Sequence, residues 1–165
     1  MNVQNVSFIE VSYHNNDDIR ILNAILSNWF SNPKILHFTA PNHQYPFKIS
    51  KWISLSYADQ GISTFCLKLD NWIIGHISMK LNIEENSAHL FHLIIDEKYR
   101  KKGYGKSLVK YVEQKLIDRG EFNRLSLNCV KKNQSARALY QSLGFSIVKE
   151  KKYIKMVKDL KMIEG

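Results

Sequence analysis

A strand that runs straight into a helix through a basic, glycine-punctuated turn constrains this chain more than any other feature. Ser87 to Ile95 reads as the strand. Asp96 to Lys102 is the turn, and Arg100-Lys101-Lys102-Gly103-Tyr104-Gly105-Lys106 carries its basic and glycine residues. Tyr104 to Arg119 is the helix: Tyr104, Leu108, Val112 and Leu116 recur every four residues, and Gly120 stands just beyond the end. A strand joined this tightly to a helix belongs to an α/β architecture.

The turn has its own chemistry. A helix N-terminus carries unpaired amides and a partial positive charge. Glycines let the backbone approach an anion with no Cβ in the way. Hydrogen bonds to charged groups contribute about 1.5–3 kcal/mol each, so a few amides on a pyrophosphate give useful affinity. Two familiar nucleotide turns fail here. A P-loop needs Gly where Arg100 stands, and a dinucleotide fingerprint needs Gly or Ala where Leu108 stands.

The remaining elements build a mixed sheet. Val6 to Tyr13 is a first strand. Asp17 or Asp18 is positioned to cap a helix running to about Phe30, with Ile21, Leu22, Ile25, Leu26 and Trp29 on one face. Pro33 to Pro46 is predicted as a long loop, because Pro33, Pro41 and Pro46 break regular structure. Phe47 to Tyr57 is a short helix. Ile62 to Leu69 and Trp72 to Leu81 are strands flanking the turn signal Asp70-Asn71. Arg124 to Val130 is a strand, Asn133 to Leu143 a helix, and Phe145 to Leu160 one or two final strands. No repeat, linker or low-complexity tract interrupts this order, so residues 1–165 are expected to form a single domain.

About thirty residues after the turn comes Asn133-Gln134-Ser135-Ala136-Arg137-Ala138-Leu139-Tyr140-Gln141-Ser142-Leu143-Gly144-Phe145. Asn133 is a helix cap, Gly144 a left-handed stop, and Ala136, Leu139 and Leu143 share one face. Together, the Arg-x-x-Gly-x-Gly turn and this segment resemble the two motifs of the GNAT superfamily of acetyl-CoA-dependent N-acetyltransferases. The resemblance is firm over Ala88 to Phe145 and rests on element order before that.

The resemblance implies a mixed, mostly antiparallel central sheet with helices on both faces. It implies a splay between the strands that flank the acyl-CoA site. Acetyl-CoA would be the co-substrate, with no metal. Leu93, Ile94 and Ile95 would run beside the pantetheine arm. Arg100, Lys101, Lys102, Gly103, Tyr104, Gly105 and Lys106 would hold the pyrophosphate, and Asn133 would complete the donor site. Tyr140 would lie near the acyl sulfur as general acid; an unperturbed phenol, with pKa about 10, is protonated at neutral pH. Family members often carry a Glu about eleven residues before the Arg of the turn, where this chain has His89. His92 lies closer to the expected splay. An alkyl amine with pKa near 10.4 needs about 4.6 kcal/mol to lose its proton at pH 7. His89, His92 or a water-mediated route are therefore the options for the base. Cys129 reads as a small buried residue rather than an acyl carrier.

Residues ahead of the turn would shape the acceptor site. Trp29, His37 and Tyr45 are the candidate residues, and the order Trp29, loop, proline, helix, Trp52 loosely resembles the branch modifying ribosomal-protein N-termini and polyamines. The acceptor is left as a primary amine: a protein N-terminus, a polyamine, an aminoglycoside or a small metabolite. A non-catalytic acyl-CoA-binding or sensor module on the same fold is the alternative.

The net charge of +9 admits nucleic acid, an anionic small molecule or a lysine-rich surface. The densest basic cluster lies in one turn, which one coenzyme's phosphates account for, so nucleic acid is not expected as a partner. The sequence has no apolar run long enough to span a membrane and no signal-like segment in Met1 to Glu10. Cys66 and Cys129 lack metal-ligand spacing and fit a reducing compartment. A cytoplasmic protein, monomer or homodimer, is the expectation.

Overall fold

In the computed structural model, which describes residues 4–160, Asn15 rather than Asp17 or Asp18 opens the first helix. Its side chain accepts from the amide of Asp18 at 3.0 Å, while the Asp18 carboxylate turns back to the amide of Ser12 at 2.9 Å. The two residues thus fasten the helix start to the strand before it. The elements are β1 (Val6–Val11), α1 (Asn16–Trp29), α2 (Pro33–Thr39), α3 (Ile49–Ser56), β2 (Ile62–Leu69), β3 (Trp72–Asn82), β4 (Ser87–Ile95), α4 (Tyr104–Arg119), β5 (Arg124–Val130), α5 (Gln134–Ser142), β6 (Ser146–Glu150) and β7 (Tyr153–Asp159).

The predicted loop from Pro33 to Pro46 is a helix over its first half. Pro33 sits in the first turn, where its missing N–H costs nothing and its fixed φ suits the helix. Asn32 caps that turn by accepting from Lys34 N at 2.9 Å. Proline here starts a helix rather than breaking one.

The strands form one sheet in the order β1-β2-β3-β4-β5-β7-β6. All neighbours are antiparallel except β4 and β5. Helices cover both faces. One face buries Leu108, Val109, Val112 and Leu116 of α4 against Leu67, Leu90, Leu125 and Leu127 of the sheet. The other buries Leu22, Leu26 and Trp29 of α1, Leu36 of α2 and Trp52 of α3 against Val11, Cys66 and Ile94. Among the described residues, no helix is long and apolar enough to cross a membrane.

Candidate functional site

The parallel pair β4–β5 is hydrogen-bonded only from Ser87 opposite Arg124 to Leu90 opposite Leu127. Both strands continue past that point, β4 to Ile95 and β5 to Val130. Their ends part, and a cleft of about 650 Å³ opens between them. Leu93 and Ile95 line it from β4, Cys129 from β5, Gly103 and Gly105 from the start of α4, and Tyr140 from α5.

The turn at the top of β4 leaves a helix N-terminus open to this cleft. Lys101 and Gly103 both take left-handed backbone, with φ of 62° and 86°. Gly103 is the N-cap residue and has no side chain to cap with. The first helical bond runs from Ser107 N to Gly103 O at 3.0 Å, so the amides of Tyr104, Gly105 and Lys106 precede any intrahelical partner. Arg100 secures the turn, donating from Nε to Ile95 O at 3.0 Å. At Gly105 a Cβ would lie 3.3 Å from Leu139 Cδ2, so the absence of a side chain lets α5 approach. These open amides, with Arg100, Lys101 and Lys106 around them, fit a diphosphate. Of the donor-side residues expected from the sequence, only Lys102 does not line the cleft. Its Nζ lies 5.9 Å from the centroid of the Tyr99 ring.

A β-bulge shapes the β4 wall. His76 of β3 pairs with Ile94 and Ser78 with Phe91, so Ile77 faces two residues, His92 and Leu93. His92 absorbs the extra residue with φ of 54°. An extra residue exchanges the two faces of the strand. Leu90, below the bulge, packs with α4; Ile94, above it, packs with α1 to α3; Leu93 and Ile95 turn to the α4 side. The bulge therefore turns Leu93 and Ile95 toward the helix whose N-terminus is open.

Side chains hold His92 from two sides. His76 donates from Nδ1 to the His92 carbonyl at 2.8 Å, since a carbonyl only accepts. The Nε2 of a neutral His76 is then the acceptor, and Tyr13 Oη donates to it at 2.8 Å. Burial pushes the His76 pKa down to about 4, which keeps the ring neutral. On the other side, Tyr57 Oη lies 2.8 Å from His92 Nδ1 and 2.8 Å from Ser78 Oγ, and Ser78 Oγ lies 2.9 Å from Thr64 Oγ1. The Trp52 ring stacks on the imidazole at 4.0 Å. Burial holds His92 well below the usual histidine pKa, reinforced by His76 and His43. None of Tyr13, Trp52, Tyr57 or His76 stood out in the sequence as a partner of His92.

Tyr140 lies half-buried on the cleft, and its hydroxyl has no hydrogen-bond partner among the described residues. Burial raises its pKa, with Cys129 adding to the effect, so it stays a proton donor at neutral pH. Asn133 caps α5 by accepting from Ala136 N at 3.2 Å. Cys129 is buried, its thiol directed to the carbonyls of Val130 and Asn133, and burial raises its pKa; it has no base beside it.

The other sequence-derived site residues fall outside the cleft. His89 is bonded through Nδ1 to Ser126 Oγ at 2.9 Å, and burial lowers its pKa, helped by Lys155 and Lys80. Trp29 is packed in the core of the α1 face and borders only a smaller cavity beside the turn. His37 is exposed on α2, whose Lys34, Ile35 and Phe38 line the cleft instead. Tyr45 is exposed and donates to Ser31 O at 3.3 Å. The wall opposite α4 is thus made by α2, the helix that the proline pattern concealed. Among the described residues, no three His, Cys, Asp or Glu side chains gather as a metal site.

Comparison with known proteins gives the family and the fold. The model of the Acetyltransferase (GNAT) family matches residues 24–145. Human N-acetyltransferase 8 is 40% identical over 63 residues, which are 38% of this chain and 27% of that protein. Among solved structures, a domain from Methanocaldococcus jannaschii aligns with a TM-score of 0.77 at 18% identity, over 96% of this chain and 100% of that one. The PaiA N-acetyltransferase of Thermoplasma acidophilum, solved with coenzyme A, aligns with a TM-score of 0.70 at 19% identity, over 94% and 99%. Spermidine N-acetyltransferase of Vibrio cholerae, solved with CoA and spermine, aligns with a TM-score of 0.72 at 14% identity, over 95% and 96%. These likenesses establish the fold, and the family model, spanning most of the chain, establishes the kinship: the chain belongs to the GNAT family of acetyltransferases.

Proposed function

We propose that the protein is an N-acetyltransferase that moves the acetyl group of acetyl-CoA directly to a primary amine. The observation that carries this reading is one cleft joining two features. At one end is a helix N-terminus with open amides and three cationic side chains. Deeper in, where β4 and β5 part, is a tyrosine hydroxyl with no hydrogen-bond partner among the described residues.

The open amides of Tyr104 to Lys106, with Arg100, Lys101 and Lys106, would bind the diphosphate. Leu93 and Ile95 would line the path of the pantetheine arm. The acceptor would enter along α2, past Lys34, Ile35 and Phe38. Its nitrogen forms a bond to the acyl carbon, and the carbon–sulfur bond breaks. Tyr140 gives its proton to the departing sulfur and regains one from solvent. The proton leaving the amine passes to solvent in the open cleft, because His89 is engaged with Ser126 outside it. Cys129 takes no part, since its raised pKa keeps it a thiol.

The test is release of free thiol from acetyl-CoA in the presence of a panel of primary amines, with mass spectrometry of the product. Tyr140→Phe serves as the control.

A further inference from the structure

We infer that His92 presents an N–H donor to the cleft through Nε2 and bonds the acetyl carbonyl oxygen, rather than acting as a base. The proposal rests on the acetyltransferase reading for its ligand and on proton counting for its chemistry.

Thr64, Ser78, Tyr57 and His92 form a sealed hydrogen-bonded chain. Thr64, Ser78 and Tyr57 are 3%, 0% and 2% exposed, so water does not complete their hydrogen bonds. The chain contains three contacts: Thr64 to Ser78, Ser78 to Tyr57, and Tyr57 to His92 Nδ1. Each contact needs one proton, and the three hydroxyls carry one each. If Thr64 donates to Ser78, Ser78 to Tyr57 and Tyr57 to Nδ1, every proton has an acceptor. If Nδ1 were the donor, one hydroxyl proton would be left over in a dry interior, with no further hydrogen bond among the described residues to take it. The satisfied arrangement makes Nδ1 an acceptor. A neutral ring must then carry its proton on Nε2.

His92 lines the cleft, and Nε2 has no partner among the described residues. A base needs its lone pair on the open side, whereas here the lone pair faces Tyr57. A donor needs its proton on the open side, where this arrangement puts it. The ring is fixed for that task, stacked on Trp52 at 4.0 Å and held through its own carbonyl by His76. The oxygen that gains charge when an amine adds to a thioester is the strongest acceptor created in such a cleft. His76 has the opposite tautomer, with its proton on Nδ1, because its acceptor is a carbonyl.

The tautomers are read by nitrogen-15 NMR of the histidine-labelled protein, with His92→Gln assigning the resonance. The expected result is an unprotonated Nδ1 and protonated Nε2 for His92, and the reverse for His76. Addition of acetyl-CoA alone should move the His92 Nε2–H resonance. A protonated Nδ1 at His92, or a resonance indifferent to bound acetyl-CoA, overturns the proposal even if no acceptor amine has been found. With an acceptor in hand, His92→Gln keeps an amide donor and should stay within about tenfold of the native kcat, while His92→Leu should lose about 10²-fold or more, with acetyl-CoA KM little changed. Equal losses in both variants, with acetyl-CoA binding intact, would mean a base. Should His92→Leu fail to fold, the Gln variant and the spectra decide. Loss of all transferase activity in the native protein with the spectra as expected would refute the enzyme reading and leave the tautomer standing.

Discussion

The ring of His76 donates to the carbonyl of His92 at 2.8 Å, so a wholly buried neutral histidine holds the residue that bears the left-handed kink of β4. A non-glycine residue in that conformation costs about 1–2 kcal/mol. Hydrogen bonds to the His92 backbone and ring offset the cost, and the kink turns Leu93 and Ile95 toward the start of α4.

This arrangement makes the fold acid-sensitive. The folded pKa of His76 is about 4, against about 6.5 when unfolded, so below pH 6.5 the unfolded chain binds the extra proton. Stability contributed by the neutral ring is full above pH 6.5 and falls toward pH 4, by at most about 1.4 kcal/mol per unit from this group. His92 is displaced in the same direction and adds to the slope. Urea denaturation between pH 7 and 5 should show the decline, and His76→Gln should make it shallower. His76→Leu leaves both Tyr13 Oη and the His92 carbonyl unpaired and should cost about 2–4 kcal/mol at pH 7.

Gly103 has open space where a Cβ would go, so its requirement is conformational. Gly103→Ala should lose about 1–2 kcal/mol from its φ alone. It should also weaken acetyl-CoA binding by calorimetry, because the amides that follow shift. Gly103→Asn, which tolerates left-handed backbone better, should recover part of both losses. Equal effects of Ala and Asn would contradict the conformational account.

Tyr140→Phe removes a proton donor and no packing. Its kcat should fall by about 10²-fold or more, with acetyl-CoA affinity nearly unchanged. Native turnover in the variant would exclude Tyr140 from the chemistry.

The turn, α4 and the capped α5 were legible because their signals are local: glycines at fixed offsets, a four-residue apolar repeat and an Asn cap. Even the bounds of α4 follow from its repeat and from Gly120. The β4 bulge carries no such mark, since His92 is neither Gly nor Pro, and only pairing with β3 reveals it. His76, Tyr57 and Tyr13 meet around His92 from three separate segments, a meeting that exists only in the folded sheet. The α2 wall was hidden by reading Pro33 as a breaker when it begins the helix. Trp29 offers an aromatic surface in the sequence, but its position in α1 commits that surface to the core.

The cleft's charge bears on the acceptor. Among the described lining residues, Glu97 is the only carboxylate, against Lys34, Arg100, Lys101 and Lys106. Arg100, Lys101 and Lys106 face the diphosphate, so Lys34 on the α2 wall is the cation on the acceptor's path, and a second ammonium there meets repulsion. Monoamines and amines bearing a carboxylate should exceed spermidine by about tenfold or more in kcat/KM, a difference of about 1.4 kcal/mol. Lys34→Glu should narrow that gap. Preference of the native protein for spermidine would contradict this reading of the cleft.

The most direct test of the central claim is thiol release from acetyl-CoA by the purified native protein across a panel of primary amines, with product mass determined. The account expects at least one amine to be acetylated, with one thiol released per acetyl group transferred, and Tyr140→Phe to be slower. Binding of acetyl-CoA at the α4 turn with no transfer to any amine would contradict it and identify a binding module on the same fold.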